Sequence, residues 1–143
     1  MHTLLSLVME IRKKKSESMR RTTAFRIVGW VDDPMIYVEL FDVACLLSRW
    51  EGFGLALPEY MMAGKPIVAS RMDAIPNIIR DGENGLLVKV DDDVGASKAV
   101  LRIYQDGELK NRLVTQRMED VHKRFDAQIV SEEHEKLLEQ IVR

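Results

Sequence analysis

The stretch Trp50-Glu51-Gly52-Phe53-Gly54-Leu55-Ala56-Leu57-Pro58-Glu59-Tyr60-Met61-Met62-Ala63 constrains the fold more than any other part of the sequence. An apolar run of strand length, Val43 to Leu47, precedes it, and its second half, Leu55 to Ala63, has helical composition with Pro58 near the start. Proline is tolerated in the first turn of a helix because the N–H it lacks would have no partner there. The pattern predicts a strand, a glycine loop and a helix in immediate succession.

Two carboxylates, Glu51 and Glu59, bracket that corner with seven residues between them. Gly52 and Gly54 allow backbone N–H groups to approach a ligand closely, and a helix start adds roughly half a positive charge. Such a corner suits phosphate. The carboxylates would repel phosphate, but a carboxylate accepts two or more hydrogen bonds and matches the vicinal hydroxyls of a sugar. Phosphate-binding and polyol-binding halves in one place read as a nucleotide-sugar site.

Glu51-Gly52-Phe53-Gly54, seven residues on to Glu59, and then Met62-Ala63-Gly64-Lys65-Pro66-Ile67-Val68-Ala69-Ser70 resemble the C-terminal domain of retaining nucleotide-sugar glycosyltransferases with two Rossmann-like domains, the GT-B type. Ile75-Pro76-Asn77-Ile78-Ile79-Arg80-Asp81-Gly82-Glu83-Asn84-Gly85-Leu86-Leu87-Val88 continues the resemblance, which spans residues 25–105 and leaves 106–143 as a helical tail. The resemblance implies a parallel α/β sheet flanked by helices. It also implies transfer of a glycosyl group from a nucleotide diphosphate sugar with retention, in polysaccharide or glycolipid synthesis. Glu51 would be the catalytic contact to the donor sugar, Gly52, Phe53, Gly54 and Leu55 would hold sugar and phosphate, and Glu59 would take the ribose hydroxyls. In the resembling enzymes the loop holding Gly29, Trp30 and Val31 faces the nucleobase, which makes these three candidate base contacts. Packing of Trp30 against the next helix is the other reading, and both stay open. Asp73-Ala74-Ile75-Pro76-Asn77 departs from the family pattern, which has a glycine pair, one residue, proline and an acid. If those glycines normally admit the sugar, Asp73 and Ala74 narrow the space or change the sugar accepted.

At 143 residues the chain reads as one domain, large enough to bury about two-thirds of its unfolded surface. With 46% hydrophobic and 31% charged residues and a net charge of −2, it has no bulk footprint for nucleic acid. Cys45 is the single cysteine, inside an apolar strand, which points to a reducing, cytoplasmic setting. No apolar run is long enough to span a membrane. Arg12, Lys13, Lys14, Lys15, Arg20 and Arg21, against Glu10 and Glu17, form a basic segment suited to a solvated face or to peripheral contact with an anionic membrane.

Helical spacing of Leu4, Leu5, Val8 and Met9 predicts a helix over 3–15, and Phe25 to Val28 reads as a strand. Asp33 is placed to cap a helix over 34–41. After the corner, Gly64 stops the helix and Lys65 to Ala69 forms the next strand. Asp81 to Gly85 is a turn before the buried strand Leu86 to Val88. Asp91, Asp92 and Asp93 suit the start of a helix with Ala96, Ala99, Val100 and Ile103 on one face, in preference to a metal cluster. Helices follow over 108–124 and 127–142. His122 and His134 have no cysteine or carboxylate at ligand spacing, so neither metal nor cofactor is expected.

The resembling enzymes also carry an N-terminal acceptor domain and a basic pair against the donor pyrophosphate, and neither is recognisable in this sequence. Two expectations follow. The chain is a truncated donor-binding domain whose partner is a separate acceptor domain or a second copy, or it is a non-catalytic module binding nucleotide sugar or a protein. The family's sheet also has two strands between those read here at 25–28 and 43–47. Their loss requires direct pairing of those two, or association through open sheet edges.

Overall fold

The computed structural model describes residues 8–9, 25–26, 31–124 and 127–141. Its centre is a parallel sheet of three strands, β3 (Ala44–Leu46), β4 (Ile67–Ser70) and β5 (Leu86–Val88), in the order β3-β4-β5. Ala44, Cys45 and Leu46 lie opposite Ile67, Val68 and Ala69, and Val68, Ala69 and Ser70 lie opposite Leu86, Leu87 and Val88. A separate antiparallel pair joins β1 (Val8–Met9) to β2 (Phe25–Arg26).

This pair corrects two expectations. Val8 and Met9 are strand and not helix, and the strand at Phe25 and Arg26 turns to them and not to β3. Helical spacing of four apolar residues is weak evidence when a strand partner lies elsewhere in the chain, because cross-strand pairing overrides local periodicity. Ile27, Val28 and the basic segment lie outside the described residues.

Alternation along the strands divides the interior into two layers, as the pleat requires. On one face Ala44, Ile67, Ala69, Ile75, Ile78 and Ile79 pack with Leu57, Tyr60 and Met61. These last three belong to α2 (Ala56–Met62), which carries Pro58 in its first turn as expected. On the other face Val68 and Leu86 pack with Val100 and Ile103 of α4 (Asp93–Gln105) and with Leu109 and Leu113 of α5 (Gly107–Arg124). Both faces of the sheet are therefore covered, the condition for a parallel sheet.

Helix ends follow the local chemistry. Asp33 Oδ1 accepts from the Met35 N–H at 3.0 Å to start α1 (Met35–Val38). Asp92 Oδ1 accepts from Gly95 N–H at 2.7 Å to start α4, and Asp106 Oδ1 accepts from Leu109 N–H at 2.9 Å to start α5. Both are side-chain caps, so the acidic triplet ends in a capping role. At the end of α2, Gly64 takes φ +74°, the Lys65 N–H donates to Tyr60 O and the Gly64 N–H to Met61 O, closing the helix in a Schellman motif.

Leu109, Leu113, Arg117 and Val121 recur every four residues along α5 and are all buried. Four residues overshoot the helical turn by about 40°, so such a stripe rotates by about 120° from end to end. Leu113 accordingly sits in one core and Val121 in the other. Between them Arg117 is fully buried, and its guanidinium nitrogens have no hydrogen-bond partner among the described residues. Burial lowers its pKa to about 10. Three residues further on, Asp120 accepts from Arg80 at 2.7 and 2.8 Å and from Asn84 Nδ2 at 2.7 Å, bracing the 80–85 turn. The last helix, α6 (Ala127–Ile141), leaves Leu137, Leu138 and Ile141 exposed.

Replacing Arg117 by Met removes an unsatisfied buried cation and keeps an unbranched apolar stem. The expected result is a gain of about 1–3 kcal/mol in unfolding free energy by urea titration. A loss would show that the guanidinium has acceptors. Alkaline stability is a second test. Burial pushes the Cys45 thiol up from 9.0 to about 11 and the Tyr60 hydroxyl from 10.0 to about 12, so the unfolded chain releases these protons first. Stability from Cys45 is present below pH 9 and is lost as pH rises from 9 to 11; Tyr60 acts the same way from 10 to 12. Arg117 has the opposite sign, since its destabilisation is complete below pH 10 and is relieved above it. In the window between pH 9 and 10 Cys45 dominates, and Cys45→Val should flatten the fall in urea midpoint measured there.

Candidate functional site

In a parallel α/β sheet, ligands sit beyond the carboxyl ends of the strands. Here that end carries three loops, 47–55 after β3, 71–74 after β4 and 89–92 after β5. Glu51, Gly52, Phe53, Gly54 and Leu55 all lie on the first, and Glu59 lies in the first turn of α2. Both glutamates are half-buried. Ser48 Oγ donates to Glu51 Oε2 at 3.2 Å, which orients that carboxylate. Trp50, Phe53 and Leu55 stand exposed at 80%, 49% and 59%.

The corner depends on Gly54. Its φ is +80°, and a Cβ there would lie 3.2 Å from Leu57 Cδ1, 3.6 Å from Glu51 Cγ and 3.6 Å from Leu46 Cδ2. Its carbonyl accepts from Leu57 N–H at 2.8 Å, which begins α2. The backbone N–H groups of Gly52, Phe53, Gly54 and Leu55 have no hydrogen-bond acceptor among the described residues. Gly52, Phe53 and Leu55 are exposed and the row runs into the start of α2, where N–H groups have no intrahelical partner; such groups form an anion-binding concavity when they converge.

Contacts between the three loops were not legible in the sequence. Asp73, at φ +42°, accepts from the Glu51 N–H through Oδ2 at 3.3 Å. Arg49 Nε pairs with Asp91 Oδ1 at 2.7 Å, joining the loops after β3 and β5. The Asp91 carboxylate raises the pKa of Arg49, by hydrogen bond first and charge second. Arg71, on the middle loop, pairs with Asp81 at 2.6 Å. Asp73 could be noticed beforehand only as a departure from a glycine pattern.

Of the base-contact candidates, Val31 is half-buried before α1, and Gly29 and Trp30 lie outside the described residues. Asn77 is exposed within α3 (Ile75–Ile78). A surface depression of about 380 Å³ at Lys98, Leu101, Arg102, Gln105 and Asp106 belongs to the far end of α4 and shares no residue with the corner. Among the described residues no group of three or more His, Cys, Asp or Glu could hold a metal ion. No helix among them is long and apolar enough to cross a membrane.

A three-stranded parallel sheet covered on both faces, with a glycine corner at its carboxyl end, is the α/β architecture of part of a GT-B glycosyltransferase. Residues 8–106 match the family described as Glycosyl transferases group 1, and the chain belongs to it. It is 31% identical over 113 residues to the lipopolysaccharide core biosynthesis glycosyltransferase LpsE of Rhizobium meliloti (strain 1021), covering 79% of this chain and 33% of LpsE. It is 38% identical over 109 residues to the phosphatidyl-myo-inositol mannosyltransferase of Mycolicibacterium smegmatis, covering 74% of this chain and 28% of that enzyme. Anabaena Alr3699/HepE in complex with UDP and glucose shares the fold with a TM-score of 0.75 at 20% identity, over 80% of this chain and 32% of HepE. The chain thus spans about a third or less of the length of these relatives.

The two corner glycines make opposite demands. Gly54→Ala forces an L side chain into positive φ against Leu57 and should cost about 1–2 kcal/mol in unfolding free energy. A Cβ at Gly52 meets nothing within 4 Å, and Gly52→Ala should change stability by less than about 0.5 kcal/mol. Urea titration of the two variants side by side checks the contrast.

Proposed function

We propose that this chain is the donor-binding part of a glycosyltransferase that takes a nucleotide diphosphate sugar and transfers its glycosyl group with retention, in polysaccharide or glycolipid synthesis. The observation that carries this reading is the row of unsatisfied N–H groups from Gly52 to Leu55, bracketed by two half-buried carboxylates at one strand end. Those N–H groups suit the phosphate oxygens and sugar of the donor. In this reading Glu51 meets the donor sugar, and Glu59 accepts from the ribose hydroxyls. The UDP and glucose held by HepE support a nucleotide-sugar ligand.

In this reading the chemistry needs no dedicated metal. The departing diphosphate gains negative charge as the glycosidic bond breaks, and fixed backbone donors stabilise that charge without reorganising. Glu51 faces the sugar centre, which becomes oxocarbenium-like, and its carboxylate stabilises the developing positive charge. Acceptor binding falls to a separate domain across the corner, whose exposed Trp50, Phe53 and Leu55 form an apolar rim such a partner would cover. Val31, with Gly29 and Trp30, is assigned to the nucleobase.

Calorimetric titration with uridine, guanosine and adenosine diphosphate sugars tests the reading. Glu59→Ala should weaken the best donor at least tenfold, because a charge-assisted hydrogen bond is worth about 1.5–3 kcal/mol. Loss of less than about 1 kcal/mol would remove the ribose role. Glu51→Gln should keep the affinity for the bare nucleoside diphosphate and abolish transfer when the acceptor-binding part is supplied.

A further inference from the structure

Asp73 is one of two non-glycine residues with positive φ among the described residues, and it is the one that touches the backbone of Glu51. Side chains seldom adopt φ +42°, although Asp tolerates it better than most because its short polar group can find a local partner. Glycine would occupy this backbone without strain. The carboxylate that stands there reaches across to the loop after β3 and accepts its Glu51 N–H at 3.3 Å. The corner therefore brings together two acids from the loops after neighbouring strands, Glu51 oriented by Ser48 and Asp73 seated on the Glu51 amide.

Neither acid is paired with a cation among the described residues. The two arginines that flank them in sequence are engaged elsewhere, Arg49 with Asp91 and Arg71 with Asp81. A sugar lying on the Gly52 to Leu55 backbone thus meets two negative side chains that no cation among the described residues neutralises. Hydroxyl and ammonium groups can donate to such a pair, whereas a sugar carboxylate would add a further like charge beside them.

We propose that Asp73 is a positioning and specificity-determining residue of the donor site, holding the Glu51 loop through its backbone N–H and rejecting donor sugars that carry a carboxylate in favour of neutral or amino sugars. This rests on the assignment of the corner as a donor-sugar site. The charge and the hydrogen bond are separable: Asp73→Asn keeps an acceptor oxygen and tolerance of positive φ but removes the charge, while Asp73→Gly keeps the backbone and removes both.

The test is calorimetric titration of the full chain with bare nucleoside diphosphates, their hexose conjugates and their hexuronic acid conjugates, in uridine, guanosine and adenosine series, with folding checked by circular dichroism. Wild type should bind the hexose form at least about tenfold more tightly than the hexuronate of the same base. In Asp73→Asn that ratio should fall below about threefold with hexose affinity retained, the conservative variant rescuing position but not charge. Asp73→Gly should weaken both the hexose form and the bare diphosphate, because the loop that carries the Gly52 to Leu55 N–H groups loses its tether. Equal wild-type affinity for hexose and hexuronate, or an unchanged ratio in Asp73→Asn, overturns the role of Asp73 while nucleotide binding upholds the site. Failure of every nucleotide to bind the folded wild type overturns both.

Discussion

Parallel pairing of β3, β4 and β5 is the constraint from which the site follows. Because all three strands run the same way, their carboxyl ends and the loops leaving them meet at one edge. The register, Leu46 opposite Ala69 and Ser70 opposite Val88, brings those ends level to within a few residues. A reversed central strand would carry the 71–74 loop to the other edge, and Asp73 could not reach the Glu51 amide. Parallel strands require long crossovers, and here α2 and α3 lie within them and bury the face they cross. The same burial that holds the sheet together therefore sets the distance between the loops.

Local and non-local information separate clearly in this chain. The corner from Val43 to Ala63 could be read from residues alone because each step is local: a run of apolar residues, two glycines, a proline in the first turn, a glycine at the stop. The caps at Asp92 and Asp106, and the Asp33 bond to the Met35 N–H just ahead of α1, belong to the same class, since their partners lie two or three residues away. Pairing of Val8–Met9 with Phe25–Arg26 belongs to the other class, as no periodicity announces a two-residue strand whose partner is distant. Arg117 was invisible for a related reason. Its spacing from Leu113 and Val121 is that of a core residue, but a charged side chain reads as surface until the rotation of α5 across two cores is known.

Family membership and the corner's chemistry support each other without being the same statement. The match over residues 8–106 reaches beyond the sheet, while the corner's chemistry rests on the few residues from Ser48 to Glu59 and on Asp73. The relatives' names differ, lipopolysaccharide core biosynthesis in one and phosphatidyl-myo-inositol mannosyl transfer in the other. On the proposed reading the shared part is the donor half, and a separate acceptor-binding part lets the two diverge independently. This places the chain-specific information in departures from the shared pattern, and Asp73 is the one in contact with Glu51.

Backbone strain gives an independent reason to locate function at the carboxyl edge. Among the described residues five have positive φ. Gly64 and Gly82 precede β4 and β5 at the opposite edge, and being glycines they carry no steric penalty there. Gly54, Asp73 and Asp91 fall one on each loop of the carboxyl edge, and the two that are not glycine are both here. Each of those aspartates spends its side chain on the β3 loop, Asp73 on the Glu51 amide and Asp91 on the Arg49 guanidinium. Strained residues persist only where surrounding contacts over-determine them, and they collect at sites that must be held ready for a ligand. A fold with no use for this edge would relax the two positions to glycine or to ordinary turns; instead both are acids that fasten the loop carrying the unsatisfied N–H groups. Both contacts fall just before the amides from Gly52 to Leu55, on Arg49 and on the Glu51 N–H, and so fix where that row begins, which is the preorganisation that the proposed role at a departing diphosphate calls for.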